Sequence, residues 1–132
     1  MHITRRDFVA AVGASAMVAP VPGQASTKRG AVAMYGVIGK MKIVPGQRDA
    51  LIAILLEGTG GMPGCLSYVI AHDPTDADAI WVTEVWDSSD SHKASLSLPA
   101  VRQAIARGKP LIAGFGERFE TTPIGGHGLG KS

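Results

Sequence analysis

Between Ala33 and Val44 the side chains alternate. Tyr35, Val37, Met41 and Ile43 fall on one side, and Ile38, Lys40 and Lys42 on the other. A period of two predicts a β-strand. Pro45-Gly46 ends it, because proline cannot donate to a ladder and glycine permits the turn. From Gln47 to Glu57 the spacing becomes helical, with Leu51, Ile54 and Leu55 in one stripe and Ile52 and Leu56 in a second ridge beside it. A helix with two apolar ridges expects two neighbours. Gly58-Thr59-Gly60-Gly61 stops it. The apolar runs Cys65–Ala71 and Ile80–Trp86, joined by His72-Asp73-Pro74-Thr75-Asp76, predict a hairpin. Asp87-Ser88-Ser89 offers helix caps. A short helix follows, then a second from Pro99 to Arg107, opened by proline and closed by Gly108. Alternation returns from Glu117 to Thr122 as a last strand, and the glycine-rich residues 124–132 are expected to be a flexible tail.

The predicted fold is therefore α+β, of β-α-β-β-α-β order: a ferredoxin-like sandwich with both helices on one face of an antiparallel sheet. In Ile80-Trp81-Val82-Thr83-Glu84-Val85-Trp86 both faces carry apolar residues, while helices cover only one. An apolar face left open marks a partner surface. A homodimer with sheets face to face is the simplest cover, and Trp81 is expected in that interface.

The N-terminus reads differently. Thr4-Arg5-Arg6-Asp7-Phe8 precedes an apolar stretch, Phe8–Ala19, too short to span a bilayer. Pro20, Pro22 and the small-x-small Gly23-Gln24-Ala25 follow. The arrangement resembles a twin-arginine signal, with Val9 and Ala10 where a lysine is usual. It implies a periplasmic or secreted protein with no stable membrane anchor after cleavage. The expected division is a signal over 1–25, a linker over 26–32, the α+β domain over 33–123 and the tail over 124–132.

Composition narrows the chemistry. The chain has 132 residues, a single-domain length, with 45% hydrophobic and 18% charged side chains. A net charge of +2, without a basic cluster past the N-terminus, argues against nucleic-acid binding. A single cysteine, Cys65, excludes an internal disulfide and is expected to be a buried small hydrophobe. His2, His72, His92 and His127 never stand in a paired ligand spacing, so no metal site is expected. His72 belongs to a turn and His127 to the tail.

Several residues remain as candidates. Trp86 is an apolar wall with one N–H donor, suited to an aromatic ligand or simply to the core. Glu84 and Val82 share its strand face. A carboxylate there is either a proton acceptor, its pKa raised by burial, or a salt-bridge partner. His92 lies on the helix flanking the core, where its pKa suits proton transfer; otherwise it is a solvated helix residue. Tyr35 and Tyr68 sit on strands, either in the core or within reach of a ligand hydroxyl.

Val44-Pro45-Gly46, Met62-Pro63-Gly64-Cys65-Leu66-Ser67-Tyr68, Thr83-Glu84-Val85-Trp86 and Leu98-Pro99-Ala100-Val101 stand in register along the chain. Together they resemble the antibiotic-biosynthesis monooxygenase family, which includes quinol monooxygenases, over Met34 to Thr122. The resemblance implies a dimeric α+β barrel that oxidises a small aromatic quinol or phenol with O₂, without flavin, haem or metal. Haem-degrading relatives carry an asparagine and a histidine at positions that correspond to Gly39 and Ser95, so that role loses its key residues here. His92 lies three residues before Ser95, and whether it replaces the family histidine stays open. The implied site is His92 and Glu84 for the proton, with Trp86, Tyr35, Tyr68 and Val82 around the ring. The rival readings are a non-catalytic dimeric module for a hydrophobic small molecule and a cofactor-free isomerase.

Overall fold

The computed structural model describes residues 32–130. The expected signal and all but the last residue of the linker lie outside the described residues. Strand β1 spans Tyr35–Ile43, helix α1 Arg48–Gly58, β2 Cys65–His72, β3 Ala79–Trp86, α2 Ser89–Ser95, α3 Pro99–Gly108 and β4 Ile112–Thr121. A single 3₁₀ turn, Lys109–Leu111, joins α3 to β4. The strands form one antiparallel sheet in the order β2-β3-β1-β4. Each helical connection therefore skips a strand, which is the ferredoxin-like arrangement expected from the sequence.

One sheet face is covered. Ile80 and Val82 of β3 and Ile43 of β1 pack with Leu51 and Leu55 of α1 in the main core cluster. Trp86 packs with Met62 and Val101 in a second cluster at the other end of β3. The two clusters follow from the period of two in β3 meeting the helical stripes of α1 and α3. Gly58 lets those helices touch: a Cβ on it would lie 2.5 Å from that of Ala104. At the start of α1, Gly46 takes the positive φ of 83° that its turn requires. The Ser88 hydroxyl caps α2 by accepting the Ser91 N–H at 3.1 Å.

The β2–β3 turn is locked by Asp73. Its carboxylate accepts the N–H and hydroxyl of Thr75, each at 2.9 Å, and the Trp81 indole N–H at 3.0 Å. The Lys40 ammonium stands 3.2 Å away and lies over the Trp81 ring. Trp81 thus falls on the face opposite the helices, as its strand position predicts, alongside Val69 and Phe119, which are exposed among the described residues.

Three expectations need correction. β4 begins at Ile112 rather than Glu117. Ala113-Gly114-Phe115-Gly116 has no strand pattern of its own, and backbone pairing of an edge strand with β1 supplies what the side chains lack. The second ridge of α1 is only half realised: Ile52 packs on the core while Leu56 faces solvent. Cys65 is half-buried, because it opens β2 at the end of the sheet. Beyond β4 the described chain has no helix or strand, and the Gly130 N–H donates to the Leu66 carbonyl at 2.7 Å.

Candidate functional site

β3 presents Glu84 and Trp86 to the helix side because they are two residues apart. Trp86 is only 1% exposed, and its indole N–H donates to Glu84 Oε1 at 2.9 Å. The bond fixes the carboxylate among apolar groups. α2, started by its Ser88 cap, brings His92 over this pair. His92 Nε2 stands 3.9 Å from Glu84 Oε1, and both side chains are mostly buried, at 20% and 16% exposure. The imidazole meets the Trp86 ring edge-on at 5.5 Å between centroids, and the Tyr35 ring at 5.1 Å.

Below them lies a cavity of about 190 Å³ between the sheet, α1, α2 and α3. Tyr68, Glu84, Trp86 and His92 line it, with Met41, Leu55, Met62 and Leu96 as apolar wall. Four of the six residues singled out from the sequence therefore converge. Burial, reinforced by the nearby Glu84 charge, pushes the Tyr68 phenol well above its ordinary range. Tyr68 thus stays protonated and can donate to a ligand oxygen.

The other two sit elsewhere. Val82 is buried in the core and borders a recess of about 170 Å³ beside Gly39, which shares Met41 and Glu84 with the cavity under His92 but is not that cavity. Tyr35 buttresses His92 from outside the cavity, and its hydroxyl donates to the Glu120 carboxylate. That bond raises the Tyr35 phenol and holds Glu120 below the usual carboxylate range, with Arg118 acting on Glu120 in the same direction. Arg118 Nη2 also donates to the Tyr35 oxygen, at 3.3 Å.

Arg118 and Glu120 are site neighbours that the sequence reading missed. Their i, i+2 spacing on the predicted last strand was the available signal, but it acquires meaning only through the pairing of β4 with β1. Ser95 is buried on the cavity wall, and its hydroxyl donates to the His92 carbonyl at 2.6 Å. It is committed to the helix backbone. The Cys65 thiol is pushed up by burial and donates weakly to the Ser67 carbonyl. His72 and His127 are exposed.

A four-stranded antiparallel sheet with its helices on one face, in β-α-β-β-α-α-β order, defines a ferredoxin-like α+β domain. Residues 34–107 match the model of the antibiotic biosynthesis monooxygenase family, and the chain belongs to that family. The crystal structure of a proposed antibiotic biosynthesis monooxygenase from Chloroflexus aurantiacus is 70% identical, with a TM-score of 0.72 over 74% of this chain and 100% of that one. A protein proposed for the same family from Caulobacter crescentus shares the fold at 22% identity, with a TM-score of 0.65 over 72% of this chain and 93% of that one. An uncharacterised Synechocystis protein is 26% identical over 102 residues, which are 75% of this chain and 69% of that protein.

Proposed function

We propose that this protein oxidises a small aromatic quinol or phenol with O₂, using no resident cofactor. The observation that carries the reading is the Glu84–His92 pair set over a cavity walled by Trp86 and Tyr68. An electron-rich ring slots against the indole, and Tyr68 donates to one of its oxygens. His92 or Glu84 takes the phenolic proton, and the resulting phenolate is the electron donor to O₂. In the overall balance a quinol and O₂ give a hydroxyquinone and water. One oxygen atom enters the ring, the other leaves as water, and the ring supplies all four electrons. The low polarity of the walls shelters the intermediate from water.

Membership of a family named for monooxygenases supports the reaction class. The apolar outer face of the sheet, with Trp81, Val69 and Phe119, supports a homodimer as the working unit. The twin-arginine-like segment supports export of that unit.

The deciding experiment is turnover of a quinol panel by metal-free protein, aerobically with ¹⁸O₂ and anaerobically. One labelled atom in the product and no anaerobic turnover are expected. Glu84→Gln and His92→Gln should each lower kcat by about 10²- to 10⁴-fold. Failure to convert any quinol would sink the proposal. A second reading is a non-catalytic binding module: Ser95, which the resemblance sets at the position of the family histidine, has its hydroxyl tied to a backbone carbonyl. Recovery of a bound ligand unchanged under air would support it. Product formed without O₂ would point instead to a cofactor-free isomerase.

A further inference from the structure

Met41, Leu55, Ala104 and Ile105 each border two spaces. One is the 190 Å³ cavity under His92. The other is an open groove of about 630 Å³ that continues from these four residues, past Ile112, to Phe115. It runs between α3 and the first half of β4, where no helix among the described residues covers the edge strand.

The two spaces differ in chemistry. The cavity holds the polar groups of Glu84, His92, Tyr68 and Trp86. The groove is apolar along its length, with Lys109 its one charged lining residue among the described residues. They differ in size too. Sites for drug-sized molecules are roughly 300–1,000 Å³. The cavity falls below that range and suits one ring; the groove falls inside it but lacks groups to orient a polar ligand. Phe115, 73% exposed, and the exposed Ile105 leave apolar surface along the groove with none of the described residues against it.

We infer that the ligand is an amphiphile: a phenol or quinol ring in the cavity carrying an apolar chain that leaves over Met41 and Ile105 and lies in the groove. The ring's placement rests on the function proposed above; the chain is the new element. A second copy of the protein is the competing occupant of the groove. The outer sheet face is the better surface for it, because the groove lies on the helix side and shares four lining residues with the cavity.

The test is anaerobic calorimetric titration of the full chain with hydroquinone and its butyl, hexyl and octyl homologues, below their aggregation concentrations. Each buried methylene should tighten binding by about threefold or more. KM in aerobic turnover should fall along the series while kcat stays level. Phe115→Glu and, independently, Ile105→Lys place a charge in the groove at exposed positions. Either should weaken the octyl homologue by roughly tenfold or more, consistent with the loss of two or more methylene contacts. If hydroquinone binds but the homologues bind no tighter, the chain inference falls and the proposed function stands. If no member binds, both fall. A chain-length gain equally steep in both variants places the chain elsewhere and overturns the inference. So does a change in molecular mass in the variants with the gain unaltered, since a second copy then occupies the groove.

Discussion

Asp73 gathers four donors around one carboxylate. The Thr75 N–H, its hydroxyl, the Lys40 ammonium and the Trp81 indole together hold it far below the usual carboxylate range. A depressed folded-state pKa contributes stability that is present above the unfolded value of about 3.9 and is lost as pH falls through the folded one. Asp73→Asn should therefore lower the melting temperature at pH 7, and the gap to the wild type should narrow as melts are repeated below about pH 4. A gap unchanged with pH would contradict this. Tyr35 allows a second check at this scale. Tyr35→Phe keeps a ring against His92 but removes the bond to Glu120, so the Glu120 carboxyl should titrate at higher pH by NMR. The residue scale also shows what the sequence could reveal. Glu84 and Trp86 were legible as a pair because a strand puts residues two apart on one face. The Tyr35–Glu120 bond was not, because it joins residues 85 apart through a register that includes two irregularities between β1 and β4.

At the scale of elements, α1 and α3 carry the packing under the cavity. Gly58→Ala would drive a methyl group into Ala104 and the Ala100 carbonyl. Overpacking of this kind costs about 1–3 kcal/mol. Leu51→Ala, at a fully buried position, should cost about 2–5 kcal/mol. Urea unfolding monitored by circular dichroism would check both. A neutral Gly58→Ala would show that the helices can separate freely. The helices were readable nearly to the residue, since Pro99 and Gly108 bracket α3 and Ser88 caps α2. The first half of β4 was not. Gly114 and Gly116 carry no side-chain pattern, so only hydrogen bonding to β1 makes that segment a strand. The groove is invisible in sequence for the same reason, because its floor is that unpatterned segment.

For the whole molecule, the ferredoxin-like order was legible, whereas the grouping of side chains into one cavity required the strand order β2-β3-β1-β4. Val82 illustrates the gap. It shares a strand face with Glu84 and Trp86, yet α1 covers it with Leu51 and Leu55. Strand parity names a face, and only the crossing of the helices decides which part of that face stays hollow. The proposed homodimer makes a prediction at this scale. Phe119→Asp, on the sheet face opposite the helices, should shift sedimentation from dimer to monomer, and a monomeric wild type would remove the basis for it. The two tryptophans lie on opposite faces of the same sheet, Trp86 hydrogen-bonded to Glu84 and Trp81 to Asp73. Their fluorescence therefore divides between two events. Ligand entry should alter the emission of Trp86, self-association should shield Trp81 from an added quencher, and a single optical titration can follow the two separately.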